Sequence, residues 1–265
     1  MKKCKIIIAL FAVLAFTACQ EKGDKYAFQY VTFKESIPYK QGQEHPSCSF
    51  DLNVLKAHGT DTVFADAFNV DISYFLFDKR TTDVRGAMIH FIDSVLNIFK
   101  EENREQIRYA QEEGFEPRDI DYEYVINTEV HYGNGRDIIG HFINMYQYTG
   151  GAHGGTFISG MTFRKSDGRR VEWDLFTKSM QDVIKKGLKK YFEVNTDEEL
   201  ENSLSLENTY MLPLPATPPV FTKEGVMFTY QQYEIAAYAA GLPSFIVPYD
   251  EAKSLMNTTG KNLLP

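Results

Sequence analysis

Short stretches in which apolar and polar residues alternate recur along this chain of 265 residues and constrain its fold more than any other feature. A period of two sends alternate side chains to opposite faces of a β-strand, so each stretch predicts a strand with one buried face. We predict strands in the following segments: 26–32, 48–54, 68–76, 122–130, 138–148, a hairpin at 156–176, a hairpin at 220–235, and 245–248. Gly133–Gly135 predicts the turn between two of them, because glycine and asparagine tolerate positive φ.

One long segment has the helical period instead. Apolar residues from Val84 to Phe99 fall three and four positions apart, so they form one stripe along a helix. The charged residues 101–113 continue this helix to Gly114, where we predict its end. Shorter helices are predicted at 180–191, behind a capping box of Ser179 and Asp182, at 197–206 and at 250–256. Four prolines between positions 213 and 219 predict an extended connector.

Strands grouped around segregated helices indicate an α+β fold with largely antiparallel sheets and a few packed helices. We predict two sub-domains, an N-terminal α+β sub-domain at 26–130 and a C-terminal α+β domain at 131–265. Cys48 is the one cysteine in these two ranges, so their stability must come from apolar cores and not from an internal disulfide. Cys48 alternates with Phe50 and Leu52, and we therefore expect a buried, unreactive thiol.

The N-terminus has the features of an export signal. Three lysines among the first five residues precede an uninterrupted apolar run from Ile6 to Phe16. The run is shorter than the roughly 20 residues of a membrane span. Small residues before Cys19 resemble a bacterial lipobox, so we predict a signal peptide at 1–18, lipidation of Cys19 and a polar tether at 19–25. An ordinary cleaved signal with an incidental cysteine is the alternative.

The charge balance limits the class of partner. Loss of residues 1–18 would leave 25 basic against 36 acidic residues, a net charge of −11. Nucleic-acid binding needs clustered lysine and arginine, so we expect no nucleic-acid partner. An acidic surface can steer a basic partner, although charge also serves solubility alone.

The most unusual segment is rich in glycine and contains His153. Gly150, Gly151 and Gly154 belong to a run of four glycines within six residues, which indicates unusual dihedrals or close backbone approach. A phosphate-binding loop would need a helix directly downstream, but residues 156–158 continue as a strand. His153 is either a structural or partner-contacting residue, or a general base or metal ligand. No two histidines lie three or four positions apart, and we expect neither a metal nor a cofactor.

A second concentration of unusual residues, 230–241, is rich in tyrosine. Tyr233 and Tyr238, with Glu234 between them, could form a recognition surface because tyrosine offers rigid apolar area with a polar tip. Tyrosines in alternate positions also pack well inside a sheet, and the sequence leaves both interpretations open.

These segments follow one another in an order that resembles a known family. Gly150–Thr156, Val171–Phe176, Tyr233–Gly241 and Ile246–Glu251 are similar to the extracytoplasmic domain of unknown function shared by the anti-sigma factor RsiV and the C-terminal part of the deacetylase PdaC. The resemblance covers about Ile138–Asn257, and the segment before it is similar to the companion α+β domain only in general pattern. We therefore expect an RsiV-type domain at 131–265.

The resemblance implies a protein-binding module at the cell envelope, because the RsiV domain binds lysozyme. A basic protein such as lysozyme, or a cell-wall glycan, is the expected partner, and the lipid anchor would hold the module on a bacterial membrane facing the periplasm or the exterior. The candidate partner-binding residues are Gly150, Gly151, His153, Gly154, Tyr233, Glu234 and Tyr238. A small hydrolase or peptidoglycan-modifying enzyme that uses His153 is the alternative. We expect neither sigma-factor regulation nor deacetylation to carry over, since neither accompanying segment is recognisable here.

Overall fold

The computed structural model describes residues 26–114, 120–132, 137–206 and 209–264. The predicted signal peptide, Cys19, the tether and the turn at Gly133–Gly135 lie outside these residues. Within the described ranges, no helix has the length and apolar character required to cross a membrane.

A six-stranded sheet forms the larger part of the molecule, with its strands side by side in chain order. The strands are β1 (Tyr26–Pro38), β2 (Ser47–Gly59), β3 (Tyr122–Tyr132), β4 (Ile138–Tyr148), β5 (Gly155–Arg164) and β6 (Arg170–Val171). All neighbours are antiparallel except β2 and β3, which are parallel. A parallel pair needs a long crossover, and here two helices between β2 and β3 provide it: α1 (Thr62–Phe77) and α2 (Val84–Glu113).

The strand predicted at 68–76 is wrong, because these residues belong to helix α1. Phe68, Ile72 and Leu76 fit a period of two, but they are also four positions apart and form one buried helical stripe. Asn69 stabilises this arrangement through its side-chain amide. The amide accepts a hydrogen bond from the Ala57 backbone at 2.8 Å and donates one back at 2.9 Å, where β2 has no strand neighbour on that side.

Helix α2 confirms the stripe predicted from Val84 to Phe99 and its charged continuation. The Asp83 side chain caps its first turn, and Gly114 ends it in the left-handed conformation. Helices α1 and α2 cover one face of the sheet and enclose the first apolar core. That core contains Cys48, Phe50, Leu52, Phe64, Phe68, Phe99, Tyr122, Ile126, Ile143 and Phe163 among others.

A second apolar core lies on the C-terminal part of the chain. It is enclosed by α3 (Gln181–Phe192), α4 (Asp197–Ser203), α5 (Tyr249–Leu255), α6 (Thr258–Leu263) and an antiparallel sheet of β7 (Val220–Phe221), β8 (Gly225–Thr229) and β9 (Ser244–Pro248). The predicted capping box at Ser179 and Asp182 is wrong, since α3 starts after Met180 without a side-chain cap. A complete capping box, formed by Thr196 and Glu199, precedes α4 instead.

The two cores confirm an α+β fold and meet where β7 lies against β4 and β5. A Cβ atom on Gly140 would lie 2.2 Å from the Phe221 carbonyl oxygen, so only glycine permits this approach. The Phe221 N–H also donates to Thr162 Oγ1 on β5 at 3.1 Å. The domain boundary predicted between residues 130 and 131 falls inside β3. Residues of β3 before and after this boundary pair with β4. The division into two sub-domains stays a prediction.

Two titratable groups of the first core are fully buried. Burial raises the pKa of the Cys48 thiol to about 12, as expected for an unreactive cysteine. Desolvation lowers the pKa of His141 to about 3, and among the described residues neither of its ring nitrogens has a hydrogen-bond partner. The imidazole packs edge-on against Phe68, with ring centroids 5.0 Å apart. The core therefore holds His141 in its neutral form.

His141→Leu should make stability less sensitive to acid. Between its ordinary pKa of 6.5 and the folded value of about 3, His141 binds a proton in the unfolded chain but not in the folded one. Stability is therefore lost as the pH falls through this window, by about 2 kcal/mol at about pH 5. Urea unfolding at about pH 7.5 and pH 5 should show a smaller difference for the variant. Equal losses in both proteins would assign the acid sensitivity to other groups.

Candidate functional site

The glycine-rich segment forms the connection between β4 and β5. Gly150 and Gly151 have φ values of +90° and +91°, which L-residues rarely adopt. A Cβ on Gly150 would also lie 2.9 Å from Ile120 Cγ2. The segment ends at Gly155, where β5 begins, so a strand and not a helix follows the glycines. The need for positive φ explains why positions 150 and 151 are glycine.

Gly154 is required for a different reason, namely close approach. A Cβ at this position would lie 2.4 Å from the hydroxyl oxygen of Tyr146 on β4. Gly155 has no atom within 4 Å of the corresponding position, and neither glycine has a positive φ. The connection is therefore packed tightly against Tyr146 at one residue and open at the next.

His153 projects from this connection and stacks on Tyr238. The two ring centroids are 4.0 Å apart, with an angle of 26° between the planes. His153 Nδ1 lies 3.0 Å from the Gly154 carbonyl oxygen, which also accepts a hydrogen bond from the Tyr238 hydroxyl at 3.0 Å. Because a carbonyl oxygen only accepts, Nδ1 is the donor in this contact. Nε2, the other ring nitrogen, lies 3.5 Å from the Tyr233 hydroxyl oxygen.

Tyr233 completes an aromatic group with His153 and Tyr238. Its ring centroid lies 5.6 Å from that of Tyr238, and 64% of the residue is exposed. Its φ of +65° turns the side chain at a bend of the backbone. The fold thus brings together residues that are 80 positions apart in the sequence. We call His153, Tyr233 and Tyr238 the aromatic platform.

Glu234 and Tyr230 do not join the aromatic platform. The Glu234 carboxylate accepts hydrogen bonds from the backbone N–H groups of Ala216 and Gln231, both at 2.7 Å. Tyr230 is fully buried and donates its hydroxyl hydrogen to the Pro213 carbonyl oxygen at 2.7 Å. Tyr230 therefore packs the second core and Tyr233 is exposed, while a recognition role for the tyrosine-rich segment stays a prediction.

Two glutamines that the sequence analysis missed attach this segment to β5. Gln231 accepts from the Ile158 N–H at 3.2 Å and donates to the Ile158 carbonyl at 2.7 Å, as a neighbouring strand would. Gln232 accepts from the Thr156 N–H at 2.9 Å. No spacing in the sequence indicates these contacts, because they join residues more than 70 positions apart. They hold Tyr233 beside the glycine-rich connection.

A groove of about 380 Å³ opens next to the platform. It is lined by Met145, Gln147, Thr149, Gly150, His153, Gly155, Thr156 and Phe157. Phe157 and Met145 supply apolar surface, the other side chains are polar, and none of the lining residues is an acid, a lysine or an arginine. In the described part of the chain, no group of three His, Cys, Asp or Glu residues is arranged to hold a metal ion.

Comparison with family models divides the chain into two matched regions. Residues 173–250 match the model of DUF3298, a protein family of unknown function, and residues 41–156 match the model of deacetylase PdaC. The chain contains a DUF3298 domain behind a PdaC-related region. The candidate site takes residues from both matched regions. Gly150, Gly151, His153 and Gly154 lie in the PdaC-related region, and Tyr233, Glu234 and Tyr238 lie in the DUF3298 domain.

Two solved structures share this fold. A DUF3298 family member from Bacteroides fragilis NCTC 9343 has a TM-score of 0.69 and 18% identity, over 90% of this chain and 97% of that chain. A DUF3298 family protein from Pseudomonas aeruginosa PAO1 has a TM-score of 0.57 and 16% identity, over 91% and 98% of the two chains. No curated protein matches the chain. At these identities the likeness shows the fold alone.

Gly154→Ala should destabilise the protein, whereas Gly155→Ala should not. The new methyl group at position 154 would overlap the Tyr146 ring, and overpacking of this kind costs about 1–3 kcal/mol. The methyl group at position 155 meets open space, so we expect a change within about 0.5 kcal/mol. Urea unfolding of the two variants measures the difference. Equal stabilities would show that the connection moves freely away from Tyr146.

Gln231→Glu and Gln232→Glu form a second matched pair. The first replaces the donor to the Ile158 carbonyl with a carboxylate oxygen, which should cost about 1–3 kcal/mol. The second keeps the acceptor for the Thr156 N–H and gives it a charge, so we expect little loss of stability. Thermal unfolding at neutral pH compares them. A loss of similar size in both would mean that added charge, and not the lost donor, causes it.

Proposed function

We propose that this chain is a membrane-tethered binding module of the bacterial envelope whose contact surface is the aromatic platform and the adjoining groove. The observation that carries the proposal is the convergence of His153, Tyr233 and Tyr238, with Tyr233 largely exposed. Rigid aromatic side chains beside a partly apolar groove are typical of recognition surfaces, because they bury large area at low entropic cost.

The proposed location rests on the N-terminal sequence. The lysines, the apolar run to Phe16 and Cys19 support export and lipidation. Several acyl chains at about 0.8 kcal/mol per buried methylene would hold the protein stably on a membrane. The polar residues 19–25 would then separate the globular part from the lipid surface.

The proposed partner is a basic envelope or host protein, lysozyme-like in charge, and a cell-wall glycan is the other ligand considered. The net charge of −11 after removal of residues 1–18 favours a cationic protein by steering its approach. The resemblance to the RsiV domain, which binds lysozyme, supports the same class of partner. The uncharged groove would supply short-range contacts, and the charges of the remaining surface would supply the long-range attraction.

An enzyme that uses His153 is the second candidate. One observation favours it, namely that the exposed His153 imidazole lines the groove. Against it, the imidazole makes hydrogen bonds to the Gly154 carbonyl and the Tyr233 hydroxyl, and both of these groups are uncharged. A catalytic histidine is usually oriented by a carboxylate that stabilises its protonated form. Binding therefore explains the arrangement better than proton transfer does.

Tyr233→Ala should weaken partner binding at least tenfold, because exposed aromatic residues at the centre of a contact surface contribute most to affinity. The test is titration calorimetry of residues 19–265, carrying Cys19→Ser, with lysozyme and separately with soluble cell-wall fragments. Binding should weaken with added salt if charge steers the partner.

Tyr109→Ala is the matched control, since Tyr109 is 53% exposed on α2, outside the platform and the groove. It should bind as the unmodified protein does. Equal weakening by both substitutions would place the contact surface elsewhere. An absence of heat with lysozyme and with cell-wall fragments would refute the proposed ligand class.

A further inference from the structure

The outer edge of β1 is a long strand edge that no other strand covers. β1 pairs with β2 over all 13 of its residues, without interruption of the register. On its other side, no strand in the described part of the chain is hydrogen-bonded to it. An uncovered edge presents a row of backbone donors and acceptors that can pair with another strand.

The usual protections of an edge strand are weak in β1. Its one proline, Pro38, stands at the last position, and its one lysine, Lys34, is exposed but ion-paired with β2. Lys34 Nζ lies 2.6 Å from Asp51 Oδ2 on β2, so the charge is paired within the sheet. The Tyr30 hydroxyl donates to the Thr128 carbonyl oxygen on β3, which also draws that side chain across the sheet. The backbone edge is left open beside them.

We infer that the β1 edge is a self-association surface, on which a second copy of this chain pairs antiparallel with the first. A two-fold axis at the midpoint of β1 would place Thr32 opposite its own copy and would let the full strand pair. Tyr30 would then face Lys34 of the second copy, and Gln29 would face Glu35 of the second copy. No like charges oppose each other in this register, and the threonine pair is a favourable cross-strand contact.

The proposed lipid anchor is compatible with this arrangement. In the antiparallel pair the two Tyr26 residues would lie about 40 Å apart, at opposite ends of the paired strands. Residues 19–25 can span about 24 Å when extended, so both anchors can enter one bilayer when the strands run along its surface. Confinement to one membrane would raise the effective concentration of the two edges. Self-association needs only the uncovered edge of β1. It does not depend on whether the aromatic platform binds the proposed partner.

Sedimentation velocity of residues 19–265 with Cys19→Ser, up to about 100 µM, tests the inference. We expect a concentration-dependent dimer. Thr32→Lys places two ammonium groups opposite each other at the axis and should weaken the dimer at least tenfold. Thr32→Val is the matched control and should dimerise as before, because valine is also β-branched and uncharged. Thr32 is exposed, so both variants should keep the thermal unfolding of the parent.

Cysteine cross-linking gives a second measurement. In the same background Cys48 is buried, so Thr32→Cys adds one accessible thiol beside the proposed axis. Oxidation should link two copies much faster than it links a chain carrying Asn97→Cys on the exposed surface of α2. A monomer at every concentration, with equal cross-linking of the two cysteine variants, would overturn the inference. Unchanged dimerisation of Thr32→Lys would overturn it as well.

Discussion

The backbone of β7 lies against glycines of β4 and β5, and this contact fixes how two apolar cores share one molecule. A side chain at Gly140 would collide with the Phe221 carbonyl, and one at Gly160 would collide with Val220. Because glycine has no Cβ atom, the backbone of β7 can lie close to the backbones of β4 and β5. There the Phe221 N–H donates a hydrogen bond to Thr162 Oγ1. Close packing of this kind tolerates little displacement, so β7 is held in one position against β4 and β5.

The candidate site is one consequence of that approach. With β7 fixed, residues 230–241 lie beside the first half of β5, which β6 does not cover because it pairs only with Thr162 and Phe163. The glutamine amides of Gln231 and Gln232 satisfy the backbone groups that a sixth full-length strand would otherwise satisfy. The same contacts place Tyr233 and Tyr238 against His153. The platform is therefore shared by the PdaC-related region and the DUF3298 domain, and neither contains it alone.

Sequence patterns predicted those elements in which one period dominates. The stripe of α2 and the alternation of β3 are long enough to be unambiguous, and the structure confirms both of them and the strand predicted at 138–148. Helix α1 was missed because Phe68, Ile72 and Leu76 satisfy a period of two and a period of four together. Phe64 and Ala65, one turn earlier, decide between the two periods, since both are buried as a helix requires. The capping box was misplaced because Ser179 matches the motif, but its hydroxyl accepts from the Gln181 N–H and not from the Asp182 N–H.

The sequence by itself determined the α+β class, the burial of Cys48, and the two unusual segments that supply the candidate residues. It determined them because periodicity, glycine content and cysteine spacing are local properties of the chain. Only the tertiary structure decided that His153 stacks on Tyr238, that Glu234 serves the backbone, and that Gln231 and Gln232 join the two segments. The contacts of His153 and of the two glutamines span more than 70 residues, and the contact between Glu234 and Ala216 spans 18. No local pattern of the chain encodes contacts over such separations.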